Sequence, residues 1–162
     1  PIGKVNSPEI YFGSDRNEYL VNGKQQVSGT QTLVAPKNIK LNTLALGGTW
    51  NFQPEYAQSL SEQAVIAYRY AAPRVFFVAS GPDDRGLKNP SYSKVKVHRD
   101  GKPLTPDIAG EDVVFQNGES YIKIDEERLY NVIRDVKDDH EHLLELIIEQ
   151  PGVKAYTFTF GW

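Results

Sequence analysis

Apolar and polar residues alternate in short runs along most of this chain, with a period of two. In "AVIAYRYAA", Ile66, Tyr68 and Tyr70 fall on one side and Val65, Ala67 and Arg69 on the other. In "SKVKVHRDGKPL", Val95 and Val97 alternate with Lys94, Lys96 and His98, and Asp100-Gly101 then supplies a hairpin turn. "RVFFVAS" is apolar on both sides, as a central sandwich strand would be. Ile122 and Ile124 mark another strand. The spacing of Leu129, Val132 and Ile133 also fits a helix, but the run is short and lies among strands, so a strand is preferred. Helical signal is weak elsewhere; residues 55–63 would form one turn or two. Gly47 and Gly48 inside "LALGGTWNF" predict a bulge or bend within a strand. About eight to ten short strands with long loops read as an all-β antiparallel sandwich. Residues 1–43 hold only short apolar pieces and read as a lead-in segment wrapping a sandwich of residues 44–162, the two together forming one domain.

The chain closes on "LLELIIEQPGVKAYTFTFGW". Alternation puts Tyr156, Phe158, Phe160 and Trp162 on one side, and Ala155, Thr157, Thr159 and Gly161 on the other. The two strands are read as a hairpin turning at Gln150-Pro151-Gly152-Val153: an odd loop places the rings beside Leu144, Leu146 and Ile148, whereas an even loop places them beside Glu145 and Glu149. Burying two Phe side chains is worth roughly 1.5–3 kcal/mol each. The expectation is therefore an odd-loop hairpin, with Lys154 near Glu149 at its mouth and the ring row in the core.

At 162 residues the chain suits one domain with a sizeable core. It has no Cys, which removes disulfides and thiol chemistry from this domain. Its net charge of −3 gives no overall basic field for nucleic acid. No apolar run is long enough to span a membrane, and no signal peptide opens the chain. The absence of Met, even at position 1, is read as the mark of a piece cut from a longer protein. An export signal or membrane anchor is expected in the missing part.

Catalytic sets are hard to find. There is no G-x-S-x-G elbow, and His98, His140 and His142 lie in turns or at strand edges. Asp83, Asp84, Asp138 and Asp139 lie in polar loops, where solvation explains them better than paired-acid catalysis. In "DDHEH", His140 and His142 would share a strand face, but a solvated acidic loop is the simpler reading than a metal site. No cofactor is expected. In "SYSKVKVHR", Lys94, Lys96 and Arg99 stand beside Tyr92, yet the lysines read as the outer face of an ordinary strand. The aromatics remain: nine Tyr, seven Phe and two Trp. Exposed rings on sandwiches stack on sugars. Trp50 follows two glycines, and Tyr68 and Tyr70 flank Arg69, so Trp50, Tyr68, Arg69 and Tyr70 are the candidate carbohydrate contacts. Tyr56 and Tyr92 lie in loop-like stretches.

"SPEIYFG", "LALGGTW", "DEERLYNVIRD" and above all "PGVKAYTFTFG", in that order along nearly the whole chain, resemble the C-terminal domain of DipZ-type thioredoxin-like proteins. The resemblance implies a jelly-roll sandwich of the galactose-binding or carbohydrate-binding-module kind. It implies a preceding thioredoxin-like domain that carries the Cys-x-x-Cys, often behind a CcdA-like membrane portion of the sort tied to cytochrome c biogenesis. It also implies a periplasmic or other extracytoplasmic location. No redox residue carries over to a chain without Cys. Two functions are weighed: a non-catalytic module that binds carbohydrate for its redox partner, or a docking or dimerisation domain with no small ligand. An independent hydrolase is the weaker third.

Overall fold

The structure is a computed structural model that describes residues 5–82, 92–138 and 140–161. Trp162, Asp83, Asp84 and Asp139, singled out above, lie outside the described residues. Among the described residues all regular structure is β. Thirteen strands form two facing antiparallel sheets: β1 (Ile10–Tyr11), β2 (Gly29–Leu33), β3 (Leu44–Phe52), β4 (Ala57–Ser59), β5 (Ala64–Tyr70), β6 (Arg74–Ser80), β7 (Ser93–Arg99), β8 (Lys102–Pro103), β9 (Val113–Gln116), β10 (Glu119–Ile124), β11 (Arg128–Arg134), β12 (His142–Ile148) and β13 (Lys154–Gly161). The first sheet runs β11-β6-β13-β4-β3-β2, with β1 also pairing β13. The second runs β3-β5-β12-β7-β10-β9, with β8 on β7.

β3 belongs to both sheets. Leu44–Gly47 pair with β5, and Gly48–Phe52 pair with β2. The change falls at the glycine pair, where Gly48 has φ +96°. A Cβ there would stand 2.6 Å from Ser61 Oγ, so both the conformation and the space demand glycine. At the far side, Gly110 and Arg134 N–H groups donate to Val132 and Ile108 carbonyls. Residues 108–112 thus cover the β11 edge before running into β9, and the sandwich is nearly closed.

The core lies between the sheets. Ile66, Tyr68 and Tyr70 meet Val75, Phe77 and Phe158, with Val95, Val97, Leu144 and Leu146 beside them, all fully buried. Both members of the Asp100-Gly101 turn have positive φ, as a two-residue hairpin of this hand requires. Residues 128–134 are a strand, as preferred. The weak helical signal at 55–63 gives way to β4 and a turn.

The last two strands correct the hairpin expectation. β12 pairs with β5 and β7, and β13 pairs with β6, β4 and β1, so they lie in opposite sheets. Leu144, Leu146 and Ile148 do share the core with Phe158, but across it rather than beside it. Apolar faces must meet, and facing sheets satisfy that as fully as neighbouring strands do. Lys154 reaches Tyr56 instead of Glu149, its ammonium 5.0 Å from the ring centroid.

Candidate functional site: a tyrosine cleft on the first sheet

Along β13 the alternation breaks once. Ala155 pairs with Ala79 and Thr157 with Val78, neighbours on β6, so Tyr156 is an extra residue at a β-bulge. Ala155 and Phe158 face the core, three positions apart, while Tyr156 and Thr157 both come to the outer side. The aromatic row read from sequence is therefore split. Phe158 is buried among Phe12, Phe77 and Tyr68, Phe160 packs on Tyr68 and Tyr70, and Tyr156 leaves the core.

Outside, the Tyr156 ring meets Tyr56 at 5.5 Å between centroids and 51° between planes. Tyr56 directly precedes β4, whose pairing of Ala57 with Ala155 holds it there. Tyr11 completes the group. It pairs with Thr157, and the Arg16 guanidinium lies 3.7 Å above its ring centroid. Residues 13–15 run tightly along 53–56. Ser14 and Asp15 N–H groups donate to the Gln53 and Pro54 carbonyls at 2.8 and 3.1 Å. A Cβ on Gly13 would stand 2.3 Å from the Pro54 oxygen, so only glycine allows this approach.

The result is a cleft of about 320 Å³ bounded by Tyr11, Tyr156, Asp15, Arg16, Pro54 and Glu55. That is the lower end of the ~300–1,000 Å³ of small-ligand sites. Its walls offer ring surface beside two carboxylates and a guanidinium. Burial pushes the Tyr156 phenol up to about 12, and hydrogen bonding to the Glu127 carboxylate adds to the shift. Tyr156 thus remains a neutral donor throughout the physiological range.

The four residues singled out from sequence lie elsewhere. Trp50, Tyr68 and Tyr70 are 0% exposed. The Trp50 indole N–H donates to the Gly47 carbonyl at 2.9 Å. The Tyr68 hydroxyl donates to Asn42 Oδ1 at 3.1 Å, and the Tyr70 ring stacks on Phe160. None of the three rings offers a face to solvent. Arg69 is on the opposite side of β5, where its Nε donates to the Ile39 carbonyl at 2.6 Å and ties down the segment before β3. Tyr56 lies just outside a strand, in keeping with its loop-like stretch, whereas Tyr156 departs from the core place its alternation predicts and Tyr11 carries no signal in the sequence. The positive φ of a glycine can be inferred locally, but nothing local in Ala155-Tyr156-Thr157 signals a bulge.

Asp138, His140 and His142, the candidate ligands of this stretch that are described, form a clasp. His142 Nδ1 lies 2.6 Å from Asp100 Oδ2 and its Nε2 lies 2.7 Å from Asp138 Oδ2. Asp138 also meets exposed His140 at 2.9 Å. These contacts tie the loop before β12 to the β7–β8 turn. Among the described residues no group of three or more such side chains is arranged to hold a metal ion.

Known proteins place this sandwich. Two proteins named DipZ, from Mycobacterium bovis and Mycobacterium tuberculosis, are each 29% identical to it over 110 residues. That stretch is 68% of this chain and 14% of each relative, so the matched region is a small part of the relatives' length. A family two carbohydrate esterase from Cellvibrio japonicus shares the fold, with a TM-score of 0.52 and 16% identity over 83% of this chain and 34% of the esterase. The family described as "Thioredoxin like C-terminal domain" matches residues 7–161. Since that match takes in every strand of both sheets, the chain belongs to the thioredoxin-like C-terminal domain family.

Proposed function

We propose that this domain is a non-catalytic accessory module of an exported thioredoxin-like thiol–disulfide protein, and that it binds carbohydrate in the tyrosine cleft. One observation carries the reading: the β13 bulge turns Tyr156 out of the core against Tyr56 and beside Tyr11. Rings suit the apolar faces of a sugar, and Asp15, Arg16 and Glu55 suit its hydroxyls. The fold shared with a carbohydrate esterase agrees with this use. The domain has no Cys, so the thiol chemistry falls to a preceding thioredoxin-like domain outside the cytoplasm.

A glycan array followed by calorimetric titration of any hit tests this. Tyr11→Ala or Tyr156→Ala should each weaken binding about tenfold, equivalent to ~1.4 kcal/mol and within the reach of one aromatic contact. Silence across the array at millimolar sugar would defeat it.

A second reading has its own support. Beside the cleft, Leu129 is 42% exposed, and half-buried Val78 and Phe76 continue the apolar outer face. Under this reading the same face rests on the thioredoxin-like neighbour. Amide shifts at Val78 and Leu129 on adding that domain, together with array silence, would select it.

A further inference from the structure

The second sheet has an outer face of different character. Pairing across β7 and β10 sets Lys94 directly opposite Lys123, and Lys96 opposite Tyr121. Three lysines thus share one patch. Like charges directly opposed on neighbouring strands destabilise a sheet. Lysines often guard exposed sheet edges, but that does not apply here. β7 lies between β12 and β10, and β10 between β7 and β9, so both are interior strands.

Two of the lysine heads are held in place. Lys94 Nζ sits 4.0 Å from the Tyr121 ring centroid and donates to Gln116 Oε1 at 2.9 Å. Lys123 Nζ sits 5.0 Å from the Tyr92 ring centroid. Both rings support a cation at the surface without neutralising it. Of the acids on this face, Glu119 pairs with His98 at 2.9 Å, Glu145 lies opposite His98 on the next strand, and Glu149 follows the Ile148–Val95 pair that ends the β12–β7 register, on the Lys94 side. No ion pair joins any of the three lysines to a carboxylate among the described residues.

We infer that this patch binds an anionic polysaccharide through its sulfate or carboxylate groups, with Lys94, Lys96 and Lys123 as the contacts. An anion between Lys94 and Lys123 would relieve their repulsion, which gives the costly pairing a purpose. The site is separate from the tyrosine cleft, which is on the outer side of the other sheet, and it stands whether or not that cleft binds sugar. Nucleic acid fits less well. A lysine already stands over one face of each ring, and among the described residues the patch has no guanidinium fork to grip phosphate. A local patch can act in a chain of net charge −3, because screening confines the field to roughly 10 Å.

The test measures binding to heparin, polygalacturonate, neutral dextran and a short DNA duplex, at low salt of roughly 50 mM and again near 500 mM. Heparin or polygalacturonate should bind at low salt and weaken sharply at high salt. Which of the two binds more tightly identifies sulfate or carboxylate as the recognised group. Lys123→Gln, at the more exposed position, should cost about fivefold, and Lys94→Gln with Lys123→Gln about 25-fold. Tyr11→Ala with Tyr156→Ala should leave this binding unchanged, which separates the patch from the cleft. Thermal melts confirm that each variant is folded. The inference is overturned by absence of polyanion binding at low salt, by full retention in the double lysine variant, or by equal or tighter binding of dextran or DNA.

Discussion

Gly48→Ala probes the crossing of β3 from one sheet to the other, the step that lets β4 and Tyr56 reach β13. Three costs are legible at this position. An L-residue at φ +96° is strained by roughly 1–2 kcal/mol. The new Cβ would stand 2.6 Å from Ser61 Oγ, and that hydroxyl accepts the Thr49 N–H at 2.9 Å. Moving it forfeits a hydrogen bond worth about 1 kcal/mol. Ala64 Cα and Cβ, each 3.3 Å away, leave little room for the adjustment. Together these predict a loss of about 3 kcal/mol. With a urea m-value near 2 kcal/mol/M, the unfolding midpoint should fall by about 1.5 M. Gly47→Ala is the internal control. Its nearest contact would be Val65 Cβ at an ordinary 3.5 Å, and its φ is not in the positive region. It should move the midpoint by less than about 0.3 M, or raise it slightly by restricting the unfolded chain. If Gly48→Ala matched the wild type, or Gly47→Ala fell as far, the crossing would not depend on this backbone conformation.

Three further outcomes are expected. Trp50→Phe removes the indole donor to the Gly47 carbonyl and part of the core; calorimetry should show a loss of about 2 kcal/mol, while any glycan affinity of the cleft stays intact. Burial alone would raise the Asp138 carboxyl, but hydrogen bonds from the His140 N–H and from the His142 and His140 rings hold it down at about 2. A depressed carboxylate stabilises above its unfolded pKa of about 3.9 and loses that effect as pH falls towards 2, so Asp138→Asn should cost about 1 kcal/mol at neutral pH, after allowance for solvent screening, and nothing in strong acid. Burial pushes the phenols of Tyr70, Tyr130 and Tyr156 up to about 12, and that of Tyr68 further. Their raised folded values give stability that is complete below pH ~10 and drains away as pH rises towards 12, so phenolate absorbance should show a late class of tyrosines that ionises together with unfolding; one uniform transition near pH 10 with native near-ultraviolet dichroism would contradict this.

Some of this protein could be read before the structure because the cause was local. Only glycine is comfortable at φ +96°, so Gly47-Gly48 announced a bend. Ile66, Tyr68 and Tyr70 on one side of β5, and Val95 and Val97 on one side of β7, announced buried faces because every second residue returns to the same side. The same rule could not say what each face meets. Leu144 and Phe158 were both assigned inward, and both are buried, yet alternation does not distinguish a neighbouring strand from a facing one. The same rule covers three of the four carbohydrate candidates. Trp50, Tyr68 and Tyr70 obey the inward phase of their strands, and rings that obey it are covered.

The candidate surfaces arise where the local rule is broken or does not apply. Tyr156 escapes the core because Ala155 is held by Ala79 on one side and Ala57 on the other, and the chain must admit an extra residue before Thr157 can take up its pairing with Val78 and Tyr11. Those partners come from three separate parts of the sequence, so no window around Tyr156 contains the instruction. The lysine patch has the same origin. Lys94 and Lys96 look like an ordinary solvated face until the β7–β10 register brings Lys123 opposite. Both surfaces carry a departure from the simplest sheet, one in register and one in charge. Departures of that kind are where a fold that otherwise agrees with itself at every level is expected to hold its function.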